Sequence, residues 1–387
     1  MTSRLHLVKL LSSLICLMPP KMSKSENIPS NRKGGFTMLE LLVAIAVTAI
    51  LAGMLLTITK QVVVTHGQTS GSLETNEVAN FILDRVQEDL HCALYRNDGN
   101  VWMAATVEGK SSSSSVSSWK KANALEKPTK ESLRLLVDHL TEPSQDPYVL
   151  ATNRLRLEES RFGPSGTWFR FFTQAPELDP SSKSGSGVRA ISYRIVRHGL
   201  TGATNSQPKY QLFRADVSAK ETFEAGYDLH PGQGTYKAGK DGRRETGNVV
   251  DPVFQDNGRP STDFSLAANV IDFGIKAYLI EPDTSGKRKL RQVFPDVNAT
   301  SDTFEYLATS NPTYRTNGNN LLSHAFPDVI DVMVRVLTSS GADVIASFEE
   351  GLISSPSGIS NEAYWWQLAE ENSYVYVRRI RVLASGI

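Results

Sequence analysis

Cysteine is nearly missing from this chain. Its 387 residues hold two, Cys16 and Cys92, too few for a disulfide framework, so the fold has to rest on its own apolar core. Net charge is missing too: Lys plus Arg and Asp plus Glu each total 41. The basic excess that draws a protein to nucleic acid is therefore not there, and no nucleic-acid partner is expected. The seven histidines are scattered, with no pair at i, i+4, and the patterns G-x-x-x-x-G-K-[ST], H-E-x-x-H, G-x-S-x-G and C-x-x-C do not occur. These gaps exclude the common phosphate-loop, zinc, acyl-transfer and redox signatures. No catalytic residue, cofactor or metal is assigned, and the chain is not expected to be an enzyme. An Asp-rich piece from Asp251 to Gly258 lacks the spacing of a calcium loop and reads as a solvated turn.

What is there begins with an uneven charge distribution. Residues 1–35 carry six basic side chains and one acid, Glu26, so everything after Gly35 sums to −5. Leu41 to Thr59 then runs for nineteen residues without a charge, close to the roughly 20 that a helix needs to cross the hydrocarbon layer. Basic residues cluster before this segment, and the positive-inside bias puts the N-terminus in the cytoplasm and the C-terminal part outside. An earlier apolar patch, Leu10 to Met18, competes as the core of a secretory signal. It is short, closed by Pro19-Pro20, and followed by Lys21 and Lys24 rather than a small-x-small cleavage site. Translation starting at Met22 is a second account of the first 21 residues, and the two remain open.

The junction before the apolar run is the most specific signal. Arg32-Lys33-Gly34-Gly35-Phe36-Thr37-Met38-Leu39-Glu40 enters it directly, and this resembles the processing site of type IV prepilins. The resemblance implies that a membrane peptidase cuts between Gly35 and Phe36 on the cytoplasmic face and methylates the new amine. Gly34, Gly35 and Phe36 are thus the expected cleavage and N-methylation residues, and prepilin peptidase an expected partner. Cys16 would leave with the leader. Glu40 needs a reason to exist, because a carboxylate inside a spanning segment is costly and usually has a partner. The resemblance supplies one: in a filament, Glu40 meets the Phe36 amine of a neighbouring subunit, near the positive end of the helix dipole. A plain anchor with Glu40 at the headgroup boundary is the bland alternative.

Beyond Lys60, apolar Val78, Ile82, Val86, Leu90 and Ala93 recur at three or four, with Asp84, Arg85, Gln87, Glu88 and Asp89 assigned to the opposite side. This predicts an amphipathic extension of the spanning helix, with Gly67 and Gly71 as weak points. His91-Cys92 points in two directions on a helix and is assigned no chemistry; Cys92 reads as a small buried apolar residue. Period-two alternation at Ile271–Leu279 and Ile330–Val336 predicts half-buried strands. Further strands are expected at Leu133–Val137, Trp168–Phe172, Ile191–Val196, Tyr210–Val217 and Tyr374–Val382, and a short helix at Ser360–Glu371. Arg378-Arg379-Ile380-Arg381 reads as a guarded edge strand. The stretches Lys110–Ser118, Pro176–Gly187, Gly226–Gly258 and Pro295–Asn320 are expected to be surface insertions.

The fold class that follows is α+β: a long N-terminal helix packed on a mainly antiparallel β-sheet domain with long loop insertions. Its expected parts are a leader (1–35), a transmembrane helix (36–60), an amphipathic extension (61–95) and a β-rich domain (96–387). The layout, with LDRVQEDL, VRAISYRIVRHG, YQLFRADV, VIDFGIKAYLI and FPDVIDVMVRVLT in that order, resembles the minor pseudopilin J of type II secretion systems. With the C-terminal YVYVRRIRVLAS it also resembles the pilin-like cassette proteins of verrucomicrobial genomes, particularly cassette protein C. Glu40 argues against the tip pseudopilin K. The resemblance implies a filament subunit in the inner membrane, with its domain in the periplasm and other pilin-like subunits as partners. A membrane-anchored binding or adhesion module, and an anchored enzyme with an unrecognised site, are the competing classes.

Overall fold

A computed structural model describes residues 37–108, 157, 161–162, 167–174, 187–199, 208–217, 219–230, 265–283, 285–294, 303–314, 324–383 and 385–386. Helix α1 runs from Met38 to His91, passing through Gly67 and Gly71 without interruption. The chain divides into two compact units, Met1–Val63 and Val64–Ile387. In the first, the apolar side chains of α1 are exposed all round, from Leu39 to Val63, as expected of a helix whose solvent is lipid. Its hydroxyls are satisfied locally. Thr48, Thr57 and Thr59 each donate to a carbonyl one turn back, at 2.8–2.9 Å, so none needs a partner from outside the helix.

In the second unit α1 becomes one-sided. Thr75, Ala79, Ile82, Leu83, Val86, Asp89 and Leu90 are buried, while Leu73, Glu77, Phe81, Asp84 and Glu88 face solvent. The remaining elements follow in chain order: β1 (Leu94–Tyr95), β2 (Met103–Glu108), β3 (Trp168–Gln174), β4 (Val188–Gly199), β5 (Pro208–Val217), α2 (Ala219–Ala225), β6 (Ser265–Ala268), β7 (Val270–Pro282), β8 (Arg288–Phe294), β9 (Thr303–Ala308), β10 (Val329–Leu337), α3 (Ser339–Glu349), α4 (Asn361–Glu371), β11 (Ser373–Arg381) and β12 (Ser385–Gly386). A six-stranded antiparallel sheet has the order β6-β5-β4-β3-β2-β9, and a four-stranded antiparallel sheet the order β11-β10-β7-β8. A short parallel pair joins β1 to β12 and so returns the C-terminus to the end of α1. The layout is the expected α+β class.

The core forms where α1 meets both sheets. Phe169, Phe171, Tyr193 and Ile195 from the larger sheet, and Ile271, Phe273, Ile275, Val332 and Val334 from the smaller, join the inward stripe of α1 in one apolar cluster. Phe171 meets Tyr193 within the larger sheet at 6.4 Å, and Tyr193 bridges the layers to Phe273 at 6.0 Å between centroids. Gly71 lies close to the domain, since a Cβ there would stand 3.0 Å from Thr338 Cγ2. Thr338 in turn caps α3 by accepting from Gly341 N at 3.0 Å, and Ser360 caps α4 through Ala363 N at 3.1 Å.

Several expectations are corrected. β7 and β10 are covered on both faces rather than half-buried. Their second face carries Asp272, Lys276, Asp331 and Arg335, all buried, and residues 161–162 lie against it. There the ring of Phe162 packs on Gly274, its N–H donates to both oxygens of Asp272 at 3.1 Å, and Arg161 reaches Glu370 of α4 at 2.8 Å. Pro295–Asn320 is not simply an insertion, because it contains β9, whose Tyr306, Leu307 and Ala308 are buried. Within Gly226–Gly258, Leu229 is buried in a second small cluster with Trp102 and Phe172. Cys92 lies just past the helix end and is only half-buried. The expected strand at Leu133–Val137, the insertion Lys110–Ser118 and the Asp251–Gly258 turn lie outside the described residues.

Two measurable consequences follow. In Gly274→Ala the new Cβ would fall 2.1 Å from ring carbons of Phe162, so the ring must leave its seat. Thermal or denaturant unfolding of the full chain in detergent is expected to show a loss of about 1–3 kcal/mol, the usual cost of overpacking. Asp272 is pushed up to about 7 by burial, against the opposing charge of Arg335. A carboxyl whose folded pKa is raised binds its proton more tightly when folded, so it favours folding at low pH and loses that contribution as pH rises from about 4 to about 7. The Tm of wild type relative to Asp272→Asn is expected to fall across that window and level off above it.

Candidate functional site

The first described residues build the helix start from the sequence T-x-x-E. Thr37 precedes the first turn of α1; its backbone N–H and hydroxyl both donate to Glu40 Oε2 at 3.0 Å, while Glu40 N–H donates back to Thr37 Oγ1 at 3.3 Å. This reciprocal capping box satisfies amide donors that the first turn leaves without an intrahelical partner. It also fixes the Glu40 carboxylate at the N-terminal, positive end of the helix. Among the described residues only Oε2 is engaged, and the side chain is fully exposed. Sequence reasoning singled out Glu40 but missed Thr37, although the three-residue spacing was readable. Gly34, Gly35 and Phe36 lie outside the described residues.

A second constellation, in the Val64–Ile387 unit, ties the last turn of α1 to the larger sheet. Asp89 was expected on the solvent side of the helix, yet only 7% of its surface is exposed. The guanidinium of Arg214 on β5 grips it in a two-point pair, Nε to Oδ2 at 2.7 Å and Nη2 to Oδ1 at 2.9 Å, and the Tyr193 hydroxyl on β4 donates to Oδ2. Arg214 continues to Asp216 at 3.0 Å, which Arg189 also meets at 3.3 Å. Burial works against the charged guanidinium, but the Asp89 hydrogen bonds and the surrounding negative charge hold Arg214 above its ordinary value. Tyr193 is raised well above its ordinary range, by burial first and by the adjacent Asp89 charge second. Helix periodicity alone does not reveal this pairing, because Arg214 is 125 residues away.

Asp89, Arg189, Arg214 and Asp216 floor an open cleft of about 580 Å³ that Arg85, Glu88, His91, Cys92 and Thr173 also line. Its positive and negative side chains are mutually paired, so it presents no concentrated charge of one sign. The described residues contain no group of three His, Cys, Asp or Glu side chains positioned for a metal ion.

The lock has a measurable weight. Asp89→Ala leaves Arg214 with Asp216 alone and the buried Tyr193 hydroxyl without its acceptor, and equilibrium unfolding of the full chain is expected to lose about 3–5 kcal/mol. Asp89→Ala combined with Arg214→Met should recover part of that loss.

Comparison with known proteins bears on the other end of the helix. The family model of the prokaryotic N-terminal methylation motif matches residues 30–56, a span that holds Gly34, Gly35, Phe36, the capping box and most of the exposed apolar helix. No curated protein and no solved structure matches the chain. The capped carboxylate, the apolar helix behind it and this motif together give the chain a type IV prepilin-like N-terminal segment.

Proposed function

We propose that the protein is a pseudopilin-like structural subunit of a type II secretion or type IV pilus-like filament, and not an enzyme. Prepilin peptidase hydrolyses the Gly35–Phe36 bond, the freed Phe36 amine is methylated, and the subunit assembles with other pilin-like subunits through its N-terminal helix. The observation that carries this reading is Glu40, a carboxylate one turn into a helix that carries no other charge before Lys60 and is exposed on every side up to Val63. Such a group is costly in lipid unless it gains a partner. Its own Thr37 takes one oxygen, and the amine of a neighbour, brought alongside by lateral packing, takes the other.

The same reading accounts for the two surroundings of α1. Before processing, the leader's basic residues hold the N-terminus at the cytoplasmic face of the inner membrane, and the Val64–Ile387 unit lies in the periplasm. Assembly leaves that unit intact, since its core and the Asp89–Arg214 lock are closed within one chain.

Mass spectrometry of the protein extracted from membranes of a host with an active prepilin peptidase tests the reading. The expected N-terminus is methylated Phe36. Glu40→Ala is expected to leave membrane insertion unchanged and to abolish co-purification of differently tagged copies. Retention of residues 1–35 overturns the proposal, and a silent Glu40→Ala transfers the protein to the anchored binding or adhesion class.

A further inference from the structure

The exposed face of α1 in the Val64–Ile387 unit is not an ordinary solvated stripe. Leu73, Glu77, Phe81, Asp84 and Glu88 follow one another at spacings of four and three along one side of the helix. Leu73 and Phe81 are 61% and 56% exposed, two large apolar side chains about 12 Å apart on the helix axis. Asp84 is spent on Arg378, Glu88 on Arg85, and Glu74 accepts from the Ser339 hydroxyl at 2.5 Å. Glu77 has no partner among the described residues, and Glu74 has no cationic one. The segment 64–91 holds five acids against one Arg, so the face is acidic with an apolar centre.

The matching surface lies on the β7–β8 hairpin. Its turn is held by Asp283, which accepts from Ser285 N–H at 2.8 Å and Lys287 N–H at 2.9 Å, with Gly286 at φ 78°. Asp283 and Glu281 are spent on Lys289 and Arg291 within the hairpin. Lys287 and Arg288 are left exposed at the tip with no acidic partner among the described residues. One chain thus carries two uncompensated acids beside Leu73 and Phe81, and two uncompensated bases at a hairpin tip.

The sheet order keeps them apart. β11 is the edge beside α1, through Arg378 to Asp84 and Tyr376 to Thr75 at 2.9 Å. β8 is the opposite edge, three strand spacings or about 14 Å away. A chain cannot neutralise its own hairpin with its own helix, but a neighbour can. We propose that the β7–β8 hairpin of one copy docks on the outer face of α1 of a second copy, with Lys287 and Arg288 against Glu74 and Glu77 and their aliphatic stems over Leu73 and Phe81. The contact uses two different surfaces, so it repeats from copy to copy and propagates instead of closing a dimer. It rests on the filament reading above and adds to it a contact outside the membrane.

Directed cross-linking of the full chain tests it. In a Cys16→Ser, Cys92→Ser background, copies with different tags carry Ser70→Cys or Ser285→Cys, which leave all four charges in place, and membranes are treated with a short bismaleimide. The expected result is a mixed 70–285 adduct carrying both tags. It should be lost in Glu77→Lys or Arg288→Glu and restored when every chain carries both changes. An adduct that is missing, or indifferent to the charge swap, while tagged copies still co-purify through Glu40 overturns the docking contact and leaves the filament reading standing. Capture of a different polypeptide by the cysteine at 285 overturns the second copy as occupant. Failure of unmodified copies to co-purify at all removes the filament reading, and the docking contact with it.

Discussion

One helix has to satisfy two surroundings, and the rest of the molecule is arranged around that requirement. From Leu41 to Thr59 α1 carries no charge and is exposed all round, and its threonine hydroxyls are turned onto its own carbonyls. Beyond Gly71 the same helix has a buried side and a wet side. Both halves belong to one helical segment, Met38–His91. The change lies in which side chains recur every three or four positions, and therefore in which surroundings can cover them.

The two ends of α1 are finished with carboxylates put to opposite uses. Glu40 closes a capping box and remains exposed, with one oxygen unengaged among the described residues. Asp89, at the other end, is buried and fully committed to Arg214 and Tyr193. A buried pair of this kind is poor evidence for net stabilisation, because removing two charges from water costs nearly as much as their attraction returns. What it supplies is position: the planar guanidinium accepts the carboxylate in one orientation, and this sets how the last turn of α1 meets β4 and β5.

The N-terminal signal was legible because it is local. Arg32 to Glu40 and the uncharged run after it can be read along the chain without knowing what lies opposite. The same holds for β3, β4, β5, β7, β10 and β11, whose β-branched and aromatic runs mark strands wherever they pack. β9 was not legible, because Thr303–Ala308 sits in a stretch rich in Pro, Asn, Ser and Thr, and only pairing with β2 makes it a strand. Polar residues on β7 and β10 read as a solvent face. Asp272 and Gly274 are covered because Phe162 arrives from more than a hundred residues earlier in sequence.

By itself the sequence determined the processing motif, the length and lipid-like character of the first half of α1, the amphipathic phase of the second, and the antiparallel character of the domain. All of these depend on period and composition within a few turns. Only the tertiary structure decided that Asp89 faces inward, that β7 and β10 are covered twice, and that β8 and α1 lie at opposite edges of one sheet. Those facts belong to pairs of segments far apart in the chain, and local periodicity carries no information about which distant segment completes a face.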